Sequence, residues 1–152
     1  SPKARADIIR WTMQQDGRRV EFRYHGDGPA QALPQYRIAA LPEGYTETER
    51  AASYAAGDVK YTNADGDMIL LSYLYMSDGV VSGFELDNGD TMTDTQVNGI
   101  PATLIVSSME GNFSSVTWRD TASNIEFTVA AVADEPVIIA MAESVSLCNS
   151  TN

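Results

Sequence analysis

One cysteine and one histidine stand in 152 residues, and that scarcity removes most of the side-chain chemistry open to a protein. Cys148 has no partner for an internal disulfide, so no covalent framework holds the fold. It sits in the polar stretch 148–152 without a basic neighbour to favour its thiolate, and it is not expected to act as a nucleophile. His25 lacks the further nitrogen and sulfur ligands of a zinc site and reads as a turn or strand-end residue. Neither a catalytic centre, a metal nor a cofactor is expected. No run of 18 apolar residues exists, so none of these residues is expected to cross a bilayer as a helix, and a signal-peptide hydrophobic stretch is missing too. Ser1 in place of Met reads as the start of an excised piece, which puts any membrane anchor upstream.

Positive charge is also scarce. Ten Lys and Arg face 21 acids, for a net charge of −11. Residues 1–50 carry eight of those basic groups and are nearly neutral, whereas residues 51–152 carry only Lys60 and Arg119. Such a body repels polyanions, so a nucleic-acid partner is not expected. A mildly basic start ahead of an acidic body suits a domain whose first residues lie near an anionic membrane surface; an ordinary soluble surface produces the same bias.

What is present is a globular mixture, 43% apolar and 20% charged, of a length that suits one domain, residues 1–152. Residues 4–16 carry Ile9 and Met13 one helical turn apart, flanked by Ile8 and Trp11, and Gly17 suits a helix stop, so an N-terminal helix is expected. From Arg19 the period becomes two: Val20, Phe22 and Tyr24 alternate with charged residues, as in a half-buried strand. A weaker strand follows at 35–40, an ambiguous helical turn or loop at 46–56, and a strand around Val59 and Tyr61. Residues 68–76 are apolar on both faces, the pattern of a central strand covered on both sides.

The second half is more regular. Asp87-Asn88-Gly89-Asp90 and Asn98-Gly99 are hairpin signals, because Asn-Gly accepts the positive φ angles of a type I′ turn. With the turns at 110–112 and 121–124, they divide residues 91–131 into a four-stranded antiparallel meander. Asp134 or Glu135 then caps a C-terminal helix with Pro136 in its first turn, and Ile138, Met141, Ala142 and Val145 recur at helical spacing to face the sheet. The expected fold is α+β: one curved antiparallel sheet of about six to eight strands with a helix at each end of the chain.

Chemistry-bearing candidates are few. The acidic turns 65–67 and 87–90 lack the twelve-residue ligand spacing of a calcium loop and read as hairpin turns. Twenty-one acids permit many carboxylate pairs and single out none, and the serine pairs 107–108 and 114–115 show no nucleophile-elbow pattern. Tyrosine offers apolar area with a polar tip, so Tyr36, Tyr45, Tyr61, Tyr73 and Tyr75 are candidate lining for a ligand groove; packing in the core explains them equally well.

Taken together, Val97-Asn98-Gly99-Ile100, Val116-Thr117-Trp118, Phe127-Thr128-Val129 and the helical stretch Ile139 to Val145 resemble the domain-of-unknown-function family 4367, with Leu41-Pro42-Glu43-Gly44-Tyr45 and Val59-Lys60-Tyr61-Thr62-Asn63 matching upstream. The resemblance covers about residues 36–147. It implies a non-enzymatic extracytoplasmic sensor or ligand-binding domain of an anti-sigma-factor-like membrane protein of Gram-positive bacteria. An upstream transmembrane helix would anchor it at the cell surface, residues 1–24 being juxtamembrane-like. A sigma factor would then be a partner only through a separate cytoplasmic segment, and the ligand or protein met outside stays open. The alternative is a surface-anchored module that binds envelope glycan, peptide or lipid without signalling.

Overall fold

The computed structural model describes residues 10–26 and 30–149. Among them are twelve strands: β1 (Arg10–Asp16), β2 (Arg19–His25), β3 (Tyr36–Ile38), β4 (Thr46–Ala52), β5 (Ala56–Thr62), β6 (Met68–Tyr75), β7 (Val81–Glu85), β8 (Thr91–Val97), β9 (Ile100–Val106), β10 (Ser114–Asp120), β11 (Ile125–Ala131) and β12 (Val145–Leu147). The one helix among the described residues is α1 (Glu135–Glu143). The strands form a seven-stranded antiparallel sheet in the order β4-β5-β6-β11-β10-β9-β8, a three-stranded sheet β1-β2-β7 and a two-stranded ribbon β12-β3.

The protein is therefore mostly β, and the expected α+β fold with two helices and one sheet is corrected. Residues 10–16 of the expected N-terminal helix are strand β1, paired with β2 from Arg10↔His25 to Asp16↔Arg19; residues 4–9 lie outside the described residues. The reason is local. Gly17 adopts φ 60°, a value that serves the two-residue hairpin turn Gly17-Arg18 as well as it serves a helix stop. The alternating partner at 19–24 then decides in favour of pairing. Residues 46–52 are also strand, an exposed sheet edge with a bulge between Glu47 and Glu49; lacking a buried face, it has no apolar period to reveal it.

The meander β8 to β11 stands as expected. At Asn98 (φ 50°) and Gly99 (φ 80°) both turn residues take positive φ, the type I′ geometry that pairs β8 with β9. The other hairpin signal fails: Asn88-Gly89 turns the chain, but β7 and β8 belong to different sheets. β6 sits inside the large sheet, yet only Ile69, Leu71, Tyr73 and Tyr75 are buried, while Leu70, Ser72 and Leu74 on its other face are half-exposed.

Register builds the core in rows. Val59, Leu71, Val129, Val116 and Leu104 are successive cross-strand partners, all at most 2% exposed. A second row runs Gly57, Tyr73, Phe127, Trp118, Ala102. In it Trp118 stacks on Phe127 at 5.2 Å between ring centroids. Ile138, Met141 and Ala142 of α1 close over this face together with Leu33 and Ile38. Val145, expected on the helix, belongs to β12. The opposite face is covered in part by the three-stranded sheet, whose Val20, Phe22 and Tyr24 form a separate small core with Met76, against Leu74 and Phe84. The order is thus helix and ribbon, large sheet, small sheet. β7 makes this layering possible, because it carries the chain from interior strand β6 across to edge strand β8.

Candidate functional site

Of the two basic residues beyond position 50, one is inside. Arg119 and Glu126 are cross-strand partners on β10 and β11, with side chains 10% and 7% exposed and Nη2 3.3 Å from Oε2. The small sheet closes over them. The Tyr24 hydroxyl of β2 donates to Glu126 Oε2, the Ser82 hydroxyl of β7 donates to the same oxygen at 2.7 Å, and Arg119 Nε donates to the Tyr24 hydroxyl at 2.6 Å. The guanidinium lies 3.6 Å from the Phe22 ring centroid, a cation–π contact. Burial, and then the Glu126 carboxylate beside it, pushes the Tyr24 phenol far above its ordinary range. The cluster satisfies its own charges, so its evident work is to fasten two sheets. Sequence reasoning missed it, although one signal was there: Arg119 and Glu126 stand symmetrically about the turn 121–124, which makes a lone basic residue face an acid across the hairpin.

The five candidate tyrosines do not gather around an open groove. Tyr61, Tyr73 and Tyr75 are buried in the main core, at 2%, 2% and 7% exposure, and Tyr36 is half-buried, its ring edge-on to Tyr73 and Phe127 at 5.3 and 5.0 Å. Their polar tips fasten backbone. The Tyr61 hydroxyl accepts from Ile38 N–H at 2.9 Å, the Tyr73 hydroxyl accepts from Tyr36 N–H at 3.3 Å, and the Tyr75 hydroxyl donates to the Gln31 carbonyl at 3.3 Å. Burial raises the phenols of Tyr36, Tyr61 and Tyr75. Arg50 of β4 joins the same network through the Tyr36 carbonyl at 3.0 Å and Glu47 at 2.7 Å; its guanidinium holds the Glu47 carboxyl below the usual range. Tyr45 is half-exposed at the rim of this core.

His25 is exposed, 3.7 Å from Asp78, and Cys148 is exposed with its N–H bonded to the Gln35 carbonyl. The acidic turns are self-satisfied: Asn63 Oδ1 accepts from the N–H groups of Asp65 and Asp67. Asp90 accepts from the N–H groups of Ser108 and Asp87, which hold its carboxyl low. Among the described residues no three His, Cys, Asp or Glu side chains gather as a metal centre would require.

An open surface remains on the outer face of β4, β5 and β6. Glu49, Ala51, Asp58, Lys60, Leu70 and Ser72 line a shallow depression of about 420 Å³. Lys60 pairs with Glu49 at 2.8 Å, and the Ser72 hydroxyl donates to Asp58 at 2.8 Å, leaving Leu70 as the half-exposed apolar floor between them. Such a mixture of apolar floor and polar rim can recognise a ligand. The family model for a domain of unknown function, DUF4367, matches residues 35–145, from just before β3 to the first residue of β12. No curated protein and no solved structure matches the chain.

Proposed function

The chain belongs to the family described as a domain of unknown function, DUF4367, and from that premise we propose that it is a non-enzymatic sensor or ligand-binding domain. In this reading it sits on the extracytoplasmic side of a membrane, anchored by an upstream helix in an anti-sigma-factor-like protein whose separate cytoplasmic segment holds the sigma factor. The observation that carries it is the division of polar groups. The buried charges and most of the tyrosine phenols are bonded to one another or to backbone, as at Arg119, Glu126 and Tyr24. What faces solvent on β4 to β6 is a recognition surface, with an apolar floor at Leu70 inside a polar rim. The acidic body and nearly neutral start also suit a domain placed just outside an anionic membrane.

Two measurements test it. Protease added to intact cells carrying the full-length protein should cleave this domain without lysis; a domain protected until lysis refutes the location. The isotope-labelled domain, titrated with envelope glycan fragments, short peptides and lipid micelles, should show amide shifts concentrated at Glu49, Lys60, Leu70 and Ser72. Turnover of any of these probes would overturn the non-enzymatic reading, and shifts confined to other faces would overturn the site.

A further inference from the structure

We propose that the β1–β2 hairpin is a latch, a strand pair that docks on and leaves the large sheet as a unit while the rest stays folded. Four observations point there. The hairpin precedes the family match at residue 35, whereas its partner β7 lies inside it, so the core and the hairpin are separable in sequence. Its docking surface is confined to β2 and its two ends: five register pairs with β7, from Arg19↔Glu85 to Arg23↔Val81, and the side chains Val20, Phe22 and Tyr24. Flanking these are the backbone bonds Tyr24 N–H to Val80, Asp78 N–H to Gly26 and Leu86 N–H to Arg18, with the Arg18 guanidinium on Asn88. Its outer strand β1 is exposed from Thr12 to Asp16. The fourth observation is the charge beneath it.

Arg119 and Glu126 belong to neighbouring strands of the large sheet and pair with each other there. When the hairpin is docked they lose water and gain the Tyr24 hydroxyl, with Ser82 of β7 also on Glu126. When it leaves they remain paired and regain water. A wholly apolar lid would gain on closing and lose on opening, but a lid over an ion pair sets dehydration of two charges against its apolar gain. The two states lie close for that reason. Gly83 completes the fit: a side chain there would run into the Val20 carbonyl, so β7 accepts β2 at close range only because the position is bare.

Hydrogen exchange followed by mass spectrometry on the full 152-residue chain tests the latch. Amides of β1 and β2 should exchange about tenfold or more faster than those of β6 and β11, through a sub-global opening. Tyr24→Phe should raise the hairpin's exchange by a further factor of about ten, with the hairpin still exchanging ahead of β10 and β11. In the Tyr24→Phe, Ser82→Ala background, where no hydroxyl is left to lose a partner, adding Arg119→Met with Glu126→Leu should slow hairpin exchange, because closing then dehydrates no charge. A common rate for hairpin and β11, in the native chain and in Tyr24→Phe alike, overturns the proposal. So does faster hairpin exchange when Arg119→Met and Glu126→Leu are added to the Tyr24→Phe, Ser82→Ala background.

Discussion

Gly57→Ala is the most direct test of how the inner face is packed. Gly57 is the register partner of Tyr73, and the Tyr73 ring lies across the bare position so closely that a methyl group would overlap it. The ring has nowhere to go: it is 2% exposed, held edge-on by Tyr36 at 5.3 Å and bonded through its hydroxyl to Tyr36 N–H. Overpacking of this kind costs about 1–3 kcal/mol, and loss of the tyrosine's hydrogen bond adds about 1 kcal/mol. A total loss of roughly 2–4 kcal/mol lowers the melting temperature of a domain this size by roughly 4–16 °C. Tyr73→Leu removes the obstacle, so in that background Gly57→Ala should be neutral or gain up to about 1 kcal/mol by restricting the unfolded chain. Urea unfolding followed by tryptophan fluorescence gives the cycle, since Trp118 lies in the same row. Additive losses, or a harmless Gly57→Ala in the native background, would refute the row packing.

Arg119→Met alone should cost about 3 kcal/mol by leaving the Glu126 carboxylate buried without its cation, and Arg119→Met with Glu126→Leu should cost less than the single change; chemical denaturation decides. Burial raises the phenols of Tyr24, Tyr36, Tyr61 and Tyr75, so the folded chain keeps protons that the unfolded chain releases above about pH 10. Stability from these groups is full below that pH and falls as pH rises through the folded values, and thermal melts at pH 9 and pH 11 should differ in that direction. Asn98 holds φ 50° and donates to the Glu143 carbonyl at the end of α1 at 3.1 Å. Asn98→Ala should therefore cost about 1–2 kcal/mol, and Asn98→Gly less, because glycine keeps the turn and loses only the bond.

The residues that were legible carry their signal close by. Ile125, Phe127 and Val129 alternate, Asn98-Gly99 turns, and Pro136 opens a helix, so the meander and α1 follow from neighbours in sequence. What was not legible depends on a distant partner. Ile9 and Met13 fit a helical stripe, and only pairing of 10–16 with 19–25 makes that stretch a strand. Nothing near Val81 says that β7 leaves β6 to join β2. Leu70 and Leu74 made β6 read as covered on both faces, while the small sheet packs against Leu74 and Leu70 stays at the open depression. The tyrosines suited groove and core equally in sequence; the structure puts three of them inside.

The placement of β6 beside β11 also governs how the chain can be made. Its partners there run from Tyr75↔Ile125 to Ile69↔Ala131, between 50 and 62 residues away. A nascent chain emerging from the ribosome must therefore hold β6 half-paired, with β5 alone, until nearly the whole meander has been synthesised. During that interval an apolar strand presents a free edge to every other chain nearby. Truncation before residue 131 should therefore leave β6 without its inner partner and give insoluble product, a consequence of threading the middle of the sequence into the middle of the sheet.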